Sequence, residues 1–174
     1  MKAPNLNIKF LFAAGFGWMF LASCPGVIAE ETFHGRGNWD LVTLASQVLA
    51  GLGVVAWFGS ALWWIYDAWA SIPVEHRRTA FFNPQTPAVA VVMFFMPCVN
   101  LIWVVVSNIG LCESLNRALE ARGSLRRVPM PLVAAAVALQ LIPYCNVLFG
   151  PMLWFAVMFV VEKARSELHS PAVM

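Results

Sequence analysis

Four apolar runs, at about residues 8–29, 41–65, 88–111 and 132–161, take up most of this chain. Each is long enough to cover the roughly 30 Å of hydrocarbon in a bilayer at 1.5 Å of rise per residue. Water is a poor solvent for such a chain: 60% of its 174 residues are hydrophobic and 11% are charged, against about a quarter charged in ordinary soluble proteins. Lipid offers no partner for a backbone N–H or C=O, so each run is expected to be helical. The expected fold class is therefore all-α: an integral membrane bundle of four transmembrane helices, forming a single membrane domain over residues 1–174.

The first run opens after Lys2, with Lys9 near its start, and closes before Glu30 and Glu31. Leu21-Ala22-Ser23-Cys24 and Val27-Ile28-Ala29 imitate the processing sites of a secretory signal peptide. The run also has the length of an uncut first helix, and that reading is preferred because Pro25 directly after Cys24 is a poor context for lipidation. In the second run Ser46, Ala50, Gly53, Ala56 and Ser60 recur at steps of four, three, three and four. They draw one stripe of small residues on which a second backbone can approach closely. Trp63, Trp64, Tyr66 and Trp69 crowd its far end like an interfacial aromatic belt, and Asp67 among them is expected to be a solvated boundary residue.

The third and fourth runs share a phrase. Met96-Pro97-Cys98-Val99-Asn100 and Ile142-Pro143-Tyr144-Cys145-Asn146 place Pro97 and Pro143 46 residues apart. A proline removes one helical donor and crowds the carbonyl four residues earlier. An asparagine three residues later lies on the same side of a helix and can answer the freed group. With one crossing between the copies, the last two spans read as a small inverted Pro-x-x-Asn repeat, an architecture in which transporters place midplane sites. Asn100, Asn146, Asn108 and Gln140 are the candidate lining of such a site. The preferred reading is helix packing, in which these amides, the two prolines and Gly53 fix helix register.

Basic residues are few and scattered, with a net charge of +2, which argues against a nucleic-acid partner. His34, His76 and His169 fall in polar connections, and the four cysteines form neither a CxxC metal signature nor a disulfide framework. No cofactor or metal is expected. Sequence motifs of hydrolases, zincins and nucleotide-binding loops are missing, so the chain does not read as an enzyme.

The stretch from about Thr86 to Leu168 resembles a group of uncharacterised bacterial polytopic membrane modules, some of which are carried behind a GYF-like domain. The shared phrasing is Met96-Pro97-Cys98-Val99-Asn100-Leu101-Ile102-Trp103, then Leu111 and Leu115-Asn116, the arginines Arg122, Arg126 and Arg127, and Leu141-Ile142-Pro143. The resemblance implies a four-helix membrane module of bacterial type and brings no activity with it.

The expected function is that of a non-enzymatic accessory or scaffolding subunit of a larger membrane complex; the alternative is a small-solute transporter or channel component. Expected partners are the lipid bilayer and other membrane proteins or a second copy of the chain. Four spans with the amino terminus inside place both termini in the cytoplasm of a multi-pass inner-membrane protein. That scheme sets Lys2, Lys9, Arg77, Arg78, Lys163 and Arg165 inside and Arg36, Arg117, Arg122, Arg126 and Arg127 outside, six against five. It also brings Cys24 and Cys112 to the oxidising side, where a disulfide is an option.

Overall fold

A computed structural model of the protein describes residues 7–33, 39–142 and 149–170. Among these residues every regular element is helical. The helices are α1 (Asn7–Phe33), α2 (Trp39–Ser71), α3 (Pro87–Val92), α4 (Asn100–Ala121), α5 (Met130–Leu141) and α6 (Gly150–His169), with single 3-10 turns at Val74–His76 and Met93–Phe95. The chain divides into two compact units, Asn7–Leu62 and the part that begins at Trp63.

In the first unit α1 and the front of α2 touch backbone to backbone. A Cβ added at Gly15 would stand 2.7 Å from the Trp57 nitrogen, and one added at Gly53 would stand 2.9 Å from that of Met19. Small residues permit this approach, as the stripe on α2 foretells. The stripe itself shifts by one place. Ser46, Gly53 and Ser60 are buried, but Ala56 is exposed, and the seam runs instead through Trp57, whose ring lies 5.9 Å from Phe12 and 5.8 Å from Phe16. Steps of four, three, four and three keep one face turned inward, whereas the step onto Ala56 turns away from it. Helix α1 runs through Pro25 without a break.

Two helices, at Ile8–Pro25 and Leu41–Ser71, are long and apolar enough to cross a membrane. Only 28% and 11% of these stretches are buried, so they are not the hidden core helices of a globular fold. Val55, Leu21 and Leu41 are each about two-thirds exposed.

The third and fourth runs do not form single helices. After α3 and the Met93–Phe95 turn the backbone extends at Met96, and Cys98 takes φ 63°, a left-handed conformation that non-glycine residues rarely adopt. Pro97 therefore ends a helix rather than kinking one. The chain then reverses. Arg78 lies beside Ser114, Phe82 stacks on Trp103 at 5.7 Å, and the Trp103 indole donates to the Ala90 carbonyl at 2.8 Å, so residues 78–90 run antiparallel to α4. In the fourth run α5 stops at Leu141 and α6 starts at Gly150; Pro143 and Asn146 lie outside the described residues.

Helix α4 closes in a Schellman cap: Gly123 at φ 72° donates to Glu120 at 2.8 Å, and Ser124 donates to Leu119 at 3.0 Å. Asn116 then staples the turn to α5 by accepting from the Val128 N–H at 2.7 Å and donating to its carbonyl at 3.1 Å. Across the bundle Arg122 donates to the Leu168 carbonyl, Ser124 bonds Glu167, and Arg126 pairs with Glu167. The end of α4, the start of α5 and the end of α6 thus share one polar end of this unit.

Candidate functional site

The same polar end receives the last turns of α2, and a buried arginine gathers them. Arg165 is 2% exposed. Its Nε donates to the Ser71 hydroxyl at 2.9 Å, Nη1 to Glu162 Oε1 at 2.6 Å, and Nη2 to the Asp67 carboxylate at 2.7 Å and carbonyl at 3.1 Å. Glu162 is 5% exposed, and its Oε1 also accepts the Trp64 indole N–H at 2.9 Å. The other oxygen, Oε2, is buried with no partner among the described residues. Trp64 in turn meets Trp154 edge-on at 5.9 Å, and the Trp69 indole donates to Ser107 at 3.4 Å. The guanidinium fork suits such a cluster because it presents five fixed donors to several acceptors at once.

A second cluster joins the loop after α2 to α4. The buried Ser114 hydroxyl accepts from the Arg78 N–H at 3.0 Å and donates to the Arg78 carbonyl at 2.9 Å. Arg117 Nη2 donates to Ser114 at 2.9 Å and to the Arg78 carbonyl at 3.4 Å. Gly110 admits the loop: a Cβ there would stand 2.9 Å from Thr79 Cγ2. Arg77 turns back to cap α2, donating to the Ile72 and Ala70 carbonyls at 2.7 and 3.0 Å. Burial pushes its guanidinium below the ordinary arginine value, while Glu75 and Tyr66 oppose the shift. Beside this cluster a cavity of about 350 Å³ opens between residues 78–80 and α4.

These contacts overturn the expected sidedness of two segments. Arg78 and Arg117 were assigned to opposite faces, yet they lie within one hydrogen bond of each other. The physical reason is the reversal at Pro97, which returns α4 to the end from which the chain entered.

Of the candidate midplane residues Asn146 lies outside the described residues, and Asn100, Asn108 and Gln140 are placed as follows. Pro97 and Asn100 are exposed, Asn100 being the first residue of α4. Asn108 lies two turns away, 2% exposed; its Nδ2 donates to its own helix at Val104, 2.7 Å away, and its Oδ1 is buried without a partner among the described residues. Gln140 is half-buried near the end of α5. Gly53 lies close against the Met19 backbone. Cys24 and Cys112 are free thiols: Cys24 bonds the Phe20 carbonyl of its own helix, and Cys112 is buried in α4. Among the described residues no group of three or more histidine, cysteine or acidic side chains is placed to hold a metal.

Asp67, expected as a solvated boundary residue, keeps 31% of its side chain exposed and joins the buried Glu162 and Arg165 in one polar cluster. One signal in the sequence points to it. On α6 the buried positions Trp154, Met158, Val161, Glu162, Arg165 and Leu168 continue one helical face, so the inward stripe passes straight through the two charges.

Comparison with protein-family models, with curated proteins and with solved structures finds no match to this chain.

Proposed function

We propose that the protein is a multi-pass, non-enzymatic accessory or scaffolding subunit of a bacterial inner-membrane complex, its two long helices crossing the bilayer and its two shorter hairpins entering from one face. The observation that carries this reading is the contrast between charges gathered inside the protein around Arg165 and an open apolar exterior. Arg165 spends its donors on the protein's own helices, as a staple does. Outside, Phe10, Leu52, Leu101 and Met152 each leave more than half of their surface open, as residues that face lipid or a partner chain do.

Length argues for two crossings in place of the four suggested by hydropathy. Helices α1 and α2 measure about 40 and 50 Å, whereas the apolar parts of α4, α5 and α6 measure about 20 Å each, short of the roughly 30 Å needed. Hairpins that dip and return are tolerated in a membrane only where their irregular tips meet protein or water, and the exposed tip at Met96, Pro97 and Cys98 would take that cover from a partner chain. The charge distribution supports the same layout. The polar end holds Arg77, Arg78, Arg117, Arg122, Arg126, Arg127, Lys163 and Arg165, eight of the chain's 11 basic residues. By the positive-inside tendency, this concentration of basic residues favours a cytoplasmic polar end.

The test is purification from the native membrane in a mild detergent, with identification of whatever elutes alongside. The expected result is a defined larger assembly with a fixed stoichiometry of partner chains. Elution as an isolated chain that a small solute stabilises against heat would overturn the scaffolding reading in favour of a transporter.

A further inference from the structure

We propose that the cavity between the Arg78 loop and α4 binds the phosphate headgroup of an anionic phospholipid, with an acyl chain laid along α4; this rests on the membrane reading above. The cavity, about 350 Å³, has two kinds of wall. Arg78 and Arg117 supply cations, and Val105, Val106 and Ile109 supply an apolar face. The Arg78 guanidinium has no hydrogen bond or ion pair among the described residues; only its backbone is engaged. Among the described residues Arg117 keeps a buried Nε without a partner, and its carboxylate neighbour there, Glu113, stands 3.9 Å away and 52% exposed. The cavity is therefore short of negative charge by one unit, and a guanidinium pair is the side-chain chemistry that best matches a phosphate.

The apolar wall selects a lipid over a free anion. Ile109, Val105 and Val106 lead along α4 toward Ile102, about 10 Å further at 1.5 Å per residue, and Ile102 is 59% exposed. A phosphate held by Arg78 and Arg117 would thus have an open hydrophobic track for its tail. Inorganic phosphate would leave that wall uncovered. Basic pockets at the cytoplasmic end of membrane helices are where anionic headgroups are recognised, and this cavity lies among the basic residues of the polar end.

The test uses the full chain reconstituted in nanodiscs of phosphatidylcholine with a minor fraction of phosphatidylglycerol, followed by gentle re-extraction and native mass spectrometry of retained lipid. Wild type should retain phosphatidylglycerol over phosphatidylcholine by at least about tenfold, the scale set by two basic residues at an anionic surface. Arg78→Glu, which removes no internal bond among the described residues, should abolish that preference while leaving thermal unfolding in phosphatidylcholine alone unchanged. Equal retention of the two lipids, an unchanged preference in Arg78→Glu, or equal stabilisation by inorganic phosphate alone would each overturn the proposal. Carbonate extraction of native membranes that hold the same chain separates the failures. A chain that stays embedded without lipid preference refutes only the site, and a chain that is released refutes the membrane reading with it.

Discussion

Replacing Arg165 with methionine removes the one cation that neutralises a buried carboxylate. Glu162 would keep only the Trp64 indole on Oε1 and nothing on Oε2, at 5% exposure. Breaking a buried pair by deleting one partner costs about 3–5 kcal/mol, because the remaining charge stays desolvated. Asp67 adds little to that figure: its carboxylate is 31% exposed and can turn to water. Removing both charges, in Glu162→Gln with Arg165→Met, should therefore be milder than Arg165→Met alone, since a neutral amide can still accept the Trp64 N–H. The assay is unfolding in mixed micelles at increasing denaturing-detergent fraction, followed by tryptophan fluorescence. If Arg165→Met lies within about 1 kcal/mol of wild type, or if the double variant costs the sum of the singles, the cluster is not the staple described.

Gly15→Ala and Gly53→Ala should each destabilise by about 1–3 kcal/mol, because the new methyl meets backbone atoms that cannot move aside. Gly51→Ala, whose Cβ would meet nothing, should be neutral or gain up to about 1 kcal/mol of helix propensity; the same micelle unfolding reads all three, and equal tolerance would remove the α1–α2 seam. Glu167 gives a pH dependence: bonds from Ser124 and Arg126 hold its carboxyl below the usual carboxylate range. Its contribution is thus present above the ordinary value of about 4.3 and is lost as pH falls through the lower folded value. Hydrogen exchange in the α4–α5 turn should rise only in that acid window, and Glu167→Gln should flatten the response. Asn116→Leu should expose the same turn at neutral pH by removing both bonds to Val128, at about 1–3 kcal/mol for a backbone pair left unmet; unchanged exchange there would contradict the staple.

The long apolar helices and the small-residue stripe were legible because both depend on residue type and helical period alone. Trp57 displaced Ala56 in the stripe because the choice between steps of three and four depends on where α1 lies, which periodicity does not contain. The hairpin at Pro97 was hidden for a different reason. Proline is compatible with a kink as well as a stop, and the positive φ that decides the matter falls on Cys98, a residue type with no preference for it. The burial of Arg165 depends on Asp67, 98 positions earlier, so charge counting reads α6 as leaving for water at the point where it enters its closest packing. The opposite sidedness assigned to Arg78 and Arg117 inherited the Pro97 error, since an uninterrupted helix would have separated them by a full membrane.

Sidedness is accordingly the sharpest probe of the layout. Leu125 is 98% exposed in the α4–α5 turn, and Ala80 is exposed in the loop after α2. Single cysteines placed at these two positions in a cysteine-free background can be challenged with a membrane-impermeant thiol reagent, in intact spheroplasts and after lysis. Hairpins that return to their side of entry predict the same pattern at both sites, protection in intact cells and labelling on lysis. Labelling of Leu125→Cys in intact spheroplasts while Ala80→Cys stays protected would mean that the segment between them crosses the membrane, and would contradict the account.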